Sequence, residues 1–246
     1  MGHKVISHYG FKNLPEADIV ILHIDKTVVP DGYVKALQKY PVVLNRHGLD
    51  VSKNSISSNI LQKSDDYLGP VIIKTDANFG GIPELNYKQL PAKKSVKIGD
   101  LKNWAEIAIL DPDNYPILKH KNNIPDAVWN NPNLVVEKFL PESGNGLFFL
   151  RYYIFLGDAG WASRFGSKDP IVKFGSMITE DKTIPVPEDM VRLREQLGFD
   201  YGRFDYVEHH GKNILLDINK TVGGVHKVDE YADKINLLAR GISRYL

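Results

Sequence analysis

Short apolar runs bounded by turn residues recur along the chain, and sustained helical periodicity is scarce. Asp18–His23 (DIVILH) is an apolar run of strand length. Gly32–Tyr40 is helix-compatible after the turn cluster Pro30-Asp31-Gly32, and Pro41–Leu44 is a second short strand. Asp50–Asp66 is polar, with Ile56, Ile60 and Leu61 spaced to allow one amphipathic helix. Val71–Lys74 is a strand ending in a lysine, and Asn78–Pro83 is a glycine loop. From Glu84 to Asn133 prolines mark loops, and Leu101–Leu110 is read as helix or strand. Asn133–Leu140 is a strand stopped by Pro141. Leu147–Leu156 is a long aromatic strand with a hairpin partner at Trp161–Phe165. Pro187–Leu197 opens with Pro, Glu and Asp, which suit a helix N-terminus. Strands at Tyr201–Glu208 and Lys212–Asn219 follow, then a helix from Lys227 to Arg244. Strands and helices both alternate and cluster, which predicts an α+β class.

Composition changes this picture mainly by exclusion. With 246 residues, 43% hydrophobic and 25% charged, the chain can build a core of one large or two small domains. Lys+Arg 31 against Asp+Glu 30 leaves no surplus of positive charge for nucleic acid. The absence of cysteine removes disulfides, zinc–thiolate sites, iron–sulfur clusters and thiol nucleophiles. No apolar run approaches the ~20 residues of a membrane span. Met-Gly-His-Lys-Val lacks the apolar core of a signal peptide, so the cytoplasm is the expected compartment.

The most informative segment is Phe199–Val222. Read as a three-residue connection with glycine last, His209-His210-Gly211 places Glu208 opposite Lys212, Asp205 opposite Leu215 and Arg203 opposite Asp217. Phe204, Tyr206, Ile214, Leu216 and Ile218 then form an apolar face. Arg203, Asp205, Asp217 and Asn219 form the other face. Three oxygen donors on one face suit Mg²⁺, which takes one or two carboxylates and leaves its other positions to water and phosphate. A solvated outer face of an edge hairpin has the same pattern.

Other segments add weaker signals. Lys74 at a strand end offers a point charge for phosphate, and Gly80 and Gly81 allow backbone N–H groups close to phosphate oxygens. In Val135–Glu142 (VVEKFLPE), Glu137 shares a face with Phe139, and Lys138 and Leu140 share the other. An adenine site needs such an apolar slot with backbone N–H and C=O groups at a strand edge, and a nearby carboxylate can take ribose hydroxyls. Arg151 and Arg164 lie in an aromatic hairpin, where an arginine needs a partner or a polar cleft.

Their order is the strongest signal. Lysine strand, glycine loop, E-K-F-L-P-E, an arginine hairpin, then G-F-D-Y-G-R-F-D-Y-V and L-L-D-I-N-K-T-V-G resemble the ATP-grasp superfamily. Within it the match is to the glutathione synthetase and ribosomal-protein glutamate ligase type, over about Asp50 to Gly224. The resemblance implies two α+β lobes clasping a nucleotide: a reduced front segment at 1–50, a first lobe at 51–140 and a second at 141–246. It implies ATP contacts from Lys53, Lys74, Gly80, Gly81, Glu137, Lys138, Phe139, Leu140 and Glu142. Asp205, Asp217 and Asn219 resemble ligands of Mg²⁺, with Mn²⁺ as an alternative ion. Arg151 and Arg164 resemble the arginines facing the transferred phosphoryl group. The chain departs from the family in a short glycine loop, a long interval from Lys74 to Glu137, and aspartate at 217 where glutamate is usual.

The implied reaction joins a carboxylate to an amine through an acyl phosphate, with ADP released and no protein nucleophile. The partners are small-molecule or peptide substrates, and a homodimer could complete the acceptor pocket. A kinase acting on a small acceptor, or a non-catalytic nucleotide-binding module, would use the same residues.

Overall fold

The computed structural model describes residues 2–87, 103–179, 181–223 and 231–246. The part of the 84–133 stretch between 88 and 102, and residues 224–230, which include the start of the helix expected from Lys227, lie outside the described residues. The chain begins with a small parallel unit: β1 (Ile19–Ile21), α1 (Asp31–Leu37) and β2 (Val42–Leu44), with Ile19 paired to Val42. Leu22, Val29, Leu37, Tyr40 and Val43 form its core. The following α2 spans only Lys53–Ile56. The helix expected through Ile60 and Leu61 stops there. Ile60 instead bridges Glu137, and the Leu61 N–H donates to the Val136 carbonyl at 2.8 Å. Ser and Asn side chains compete for backbone groups and disfavour a helix interior, and the strand edge at Val136 and Glu137 gives this segment other backbone partners.

β3 (Val71–Thr75) is buried along its whole length. The chain then passes through a 3₁₀ turn at Asn78–Gly81 into α3 (Ile82–Tyr87). Leu101–Leu110 contributes a 3₁₀ turn at Trp104–Glu106 rather than a long element. β4 (Ile117–Leu118), α4 (Asp126–Trp129) and β5 (Leu134–Lys138) complete an antiparallel sheet in the order β4-β3-β5. Val71, Ile73, Leu110, Val128, Leu134 and Val136 belong to one apolar cluster behind it.

The rest of the chain builds a six-stranded antiparallel sheet. β6 is Glu142–Gly144, β7 Leu147–Leu156, β8 Ala159–Ser167 and β9 Lys182–Ile184. α5 (Glu188–Gln196) is followed by β10 (Tyr201–His209) and β11 (Lys212–Asn219). The order is β11-β10-β7-β8-β9, with β6 beside β7. α6 (Ala232–Arg240) lies against β8. One sheet face packs Phe155, Phe204, Tyr206, Leu215 and Ile218 against Met190 of α5, and the other carries Leu150, Tyr152 and Phe165. Among the described residues no helix is long and apolar enough to cross a membrane.

Buried Asn45 joins the front unit to this sheet. Its backbone N–H donates to Asp200 at 2.7 Å, its side-chain amide donates to the Tyr201 carbonyl at 2.8 Å, and its Oδ1 accepts from both backbone N–H groups there.

The hairpin register differs from the sequence expectation. His209 pairs with Lys212, so the connection is His210-Gly211, two residues with φ of 50° and 73°. Positive φ at both positions is the geometry of a type I′ turn, whose twist matches the strands. The register then shifts once, from Tyr206 opposite Leu215 to Asp205 opposite Asp217. Leu216 is the extra residue of this bulge, which places Leu215 in the α5-side core and Leu216 on the other face. The expected pairings of Asp205 with Leu215 and Arg203 with Asp217 are thereby replaced.

Candidate functional site

A cleft of about 530 Å³ opens between the three-stranded and six-stranded sheets. Lys53, Lys74, Glu137, Lys138, Phe139, Leu140, Asp205, Asp217 and Asn219 all line it. Gly80, Gly81, Glu142, Arg151 and Arg164 are not among its lining residues.

The cationic wall comes from α2 and β3. Lys53, the first residue of α2, is buried with its Nζ 2.6 Å from Asp217 Oδ1. Lys74 Nζ lies 2.6 Å from Glu137 Oε2 across β3 and β5, with both side chains buried. Burial works against a charged Glu137, yet Lys74 at contact and Lys53 nearby hold its carboxyl below the ordinary value of 4.5. A carboxyl with a lowered folded pKa adds stability that is complete above the unfolded pKa. That stability is lost as pH falls through the folded one. Lys74→Met is therefore expected to cost about 3 kcal/mol at pH 7, near the low end for breaking a buried pair because Lys53 remains. The cost should shrink toward pH 4, where the stranded Glu137 takes up a proton. Urea denaturation at both pH values checks the sign.

The acidic wall comes from β10 and β11. Asp205 and Asp217 are direct cross-strand partners. Arg203 pairs with Asp205 at 2.8 Å, and its guanidinium also lies over the Phe174 ring. Burial, with Asp217 adding to it, pushes Asp205 above the usual aspartate range against the pull of Arg203. Burial also opposes charge on Asp217, but Lys53 holds it below that range. The Asp217 charge thus pushes a proton onto Asp205, and a divalent cation between the two carboxylates would remove that conflict. The oxygen donor set therefore fits Mg²⁺ at Asp205 and Asp217. Asn219 fits less directly, since its Oδ1 accepts from the Thr221 N–H at 2.7 Å and hydroxyl at 3.2 Å. Among the described residues no cluster of three or more His, Asp or Glu side chains could hold an ion by itself. The remaining positions would belong to water and phosphate.

The apolar end lies at Phe139–Pro141, the hinge between β5 and β6. The Phe139 N–H donates to the Pro70 carbonyl and the Lys138 N–H to the Asn59 carbonyl, each at 2.9 Å. Phe139 is thus not available to donate to a base, and Leu140 is the next cleft-lining residue of the hinge.

Strand alternation removes the hairpin arginines from the cleft. Leu150 and Tyr152 belong to the cleft-side cluster, so Arg151 points to the opposite face, where Tyr206 stands opposite it. Arg164 is its partner on β8. Both reach Glu142: Arg151 Nε at 2.8 Å and Nη2 at 3.1 Å, Arg164 Nε at 2.6 Å. The Glu208 N–H also donates to Glu142, at 3.0 Å. Glu142 is thus surrounded by protein donors rather than set beside a ribose pocket.

The loop glycines lie against backbone. A Cβ on Gly80 would overlap the Leu110 carbonyl oxygen, and one on Gly81 would lie 2.9 Å from the Ala108 carbonyl. The glycines serve this close backbone approach. Two loop amides are engaged: Asn78 N–H donates to the Thr27 hydroxyl at 2.8 Å and Phe79 N–H to Asn78 Oδ1 at 2.9 Å.

Cleft residues missed by sequence reasoning include Phe79, Asp113, Tyr115 and Lys173, along with Arg203, noted on the hairpin but given no cleft role. Lys173 follows Pro170 in a loop; burial pushes its ammonium down while Asp217 and Asp205 pull it up. No periodicity marks a single lysine in a loop. Arg203 carried a signal in its i, i+2 spacing to Asp205.

No family model and no curated protein matches the chain. Solved structures show similarity at low identity. A D-alanine–D-alanine ligase from Bacillus anthracis is 14% identical with a TM-score of 0.48, over 93% of this chain and 81% of that one. An ATP-grasp RimK domain protein from Sphaerobacter thermophilus is 12% identical with a TM-score of 0.47, over 94% and 81%. A RiPP-associated ATP-grasp ligase from Chryseobacterium gregarium, solved with ADP and a leader and core peptide, is 10% identical with a TM-score of 0.39, over 72% and 47%. The fold is α+β and resembles ATP-grasp ligases.

Proposed function

We propose that the chain is an ATP-dependent ligase of the ATP-grasp type, joining a carboxylate to an amine with release of ADP and phosphate. The observation that carries this reading is the meeting of Lys53, Lys74, Asp205 and Asp217 in one cleft beside an apolar hinge. The adenine would lie against Ile72 and Phe139 with the Leu140 backbone beside it. Lys74 and Lys53 would face the phosphates along the cleft. Mg²⁺ held by Asp205 and Asp217 would supply charge neutralisation to the β and γ phosphates. Arg203 and Lys173, which line the cleft, would face the transferred phosphoryl group in place of Arg151 and Arg164. The chain's part is placement and electrostatic stabilisation, which phosphoryl transfer chiefly requires. A substrate carboxylate oxygen bonds to the γ phosphorus as the bond to ADP breaks. The amine then bonds to the acyl carbon as phosphate leaves.

The test is an ADP-release screen with Mg²⁺·ATP against a matrix of carboxylates and amines, followed by mass spectrometry. The expected product carries a new amide and has lost one water relative to its two substrates. Phosphate retained on a single acceptor identifies a kinase instead. Nucleotide binding without ADP release across the matrix sinks both catalytic readings.

A further inference from the structure

A second cavity, of about 250 Å³, lies between α5 and the turn that joins β7 to β8. It shares no lining residue with the cleft. It opens on the other face of the six-stranded sheet, since Tyr153 in its wall belongs to the α5-side core while Tyr152 belongs to the cleft side. Sites for drug-sized ligands run to roughly 300–1,000 Å³, so an occupant of this one must be smaller.

Arg194 lines this cavity although its residue is only 5% exposed. Its Nη1 donates to the Gly157 carbonyl at 2.7 Å and to the Tyr153 hydroxyl at 3.3 Å. Its Nε is buried without a partner. Among the described residues no carboxylate pairs with the guanidinium, and Nη2 makes no hydrogen bond. Nη2 is not sealed from solvent, and the space that the side chain lines is this cavity. A place in the last turn of α5 and the Phe155 ring at 5.1 Å make the position tolerable for a cation, but neither supplies a counter-ion. A buried guanidinium with unused donors costs free energy until an anion meets it.

The other lining groups describe the rest of the occupant. The Tyr153 hydroxyl accepts from Arg194, so its own proton is free to be donated. Burial pushes the Tyr153 pKa up and Arg194 pulls it down, while Glu195 and Asp158 add to the rise, so both acids stand near this hydroxyl. Asp158 is paired with Arg244, and Glu195 has no ion-pair partner among the described residues. Val186 and Val191 contribute apolar surface. A simple anion would be repelled by the two acids, and a simple cation by the guanidinium. A small molecule that carries both charges satisfies the whole set.

We propose that this cavity binds a free α-amino acid with a small apolar side chain: its carboxylate on Arg194 and Tyr153, its ammonium toward Glu195 and Asp158, and its side chain against Val186 and Val191. The site is a second ligand site on the second lobe, and it does not depend on the ligase reading.

The experiment is calorimetry on the full chain with L-valine, with valinamide, which lacks the carboxylate, and with isovalerate, which lacks the ammonium. L-valine is expected to bind, and each analogue to bind about tenfold or more weakly, the scale of one lost charge-assisted contact. Glu195→Gln, on the exposed side of α5, should weaken L-valine about fivefold and leave isovalerate unchanged or tighter, since only the ammonium loses a partner. Arg194→Lys should weaken L-valine about tenfold or more, because a point charge replaces the planar fork. Mg²⁺·ADP affinity should match wild type in both variants. No L-valine binding in the millimolar range overturns the site. So does equal binding of either analogue, or unchanged L-valine affinity in Glu195→Gln or in a stably folded Arg194→Lys. Arg194 is then a structural residue that holds the β7–β8 turn. Where Arg194→Lys melts well below wild type, Glu195→Gln and the two analogues decide the question.

Discussion

Asp217→Asn is expected to lower Mg²⁺-dependent ATP turnover by about 10³-fold, the scale of losing a principal electrostatic contact to the reacting phosphates. The substitution keeps shape and hydrogen bonding while removing one of two facing carboxylates. Asp217 is held ionised by Lys53 against its burial, so the charge removed is one the folded protein carries at neutral pH. The change also strands the buried Lys53 ammonium. Because the Asp217 side chain is 34% exposed, the pair is partly screened, and the stability cost is about 1–2 kcal/mol rather than that of a fully buried pair. Asn219→Ala should lose less activity, about tenfold, since its carbonyl is turned toward Thr221. ADP release over a magnesium titration, with melting curves alongside, measures both effects. Wild-type turnover in Asp217→Asn would refute the metal assignment.

The second large effect concerns stability. Glu142→Gln is expected to destabilise the fold by about 4–5 kcal/mol, because two partly buried arginines lose the carboxylate that neutralises them. The Glu142 side chain is 9% exposed and accepts from Arg151, Arg164 and the Glu208 backbone, while Glu208 adds a 3.0 Å contact to Arg151. These partners hold its carboxyl below the usual glutamate range despite burial. For a chain of this size the melting temperature should fall by about 10 °C. Mg²⁺·ADP affinity, measured by calorimetry well below that melting point, should stay close to wild type. A tenfold loss of affinity in the still-folded variant would restore Glu142 to the ribose site.

Local pattern carried much of the architecture. Leu147–Leu156 and Lys212–Asn219 were legible with their observed ends, because a strand core advertises itself by aromatic and β-branched runs between turn residues. The helix at Asp50–Asp66 was misread because three apolar residues at helical spacing fit an extended edge equally well. In the hairpin, alternation correctly separated Phe204 and Ile218 from Asp205 and Asp217, yet the pairing was displaced. One bulged residue changes register without changing composition, so no count of apolar positions reveals it. The hairpin arginines show the same limit. Their place in aromatic strands said they needed partners or a polar cleft, but not that Glu142 would supply the partner.

What the chain determined by itself is the inventory: an α+β fold, no thiol chemistry, two aspartates and an asparagine on one hairpin face, and a lysine at the end of a buried strand. Those follow from residue identity and short-range periodicity, which act within a few positions. The folded molecule alone decided which charges meet. Lys53 and Asp217 are 164 positions apart in the chain. Their pairing depends on how two sheets close on one another, a sum of many weak apolar contacts that no local segment encodes.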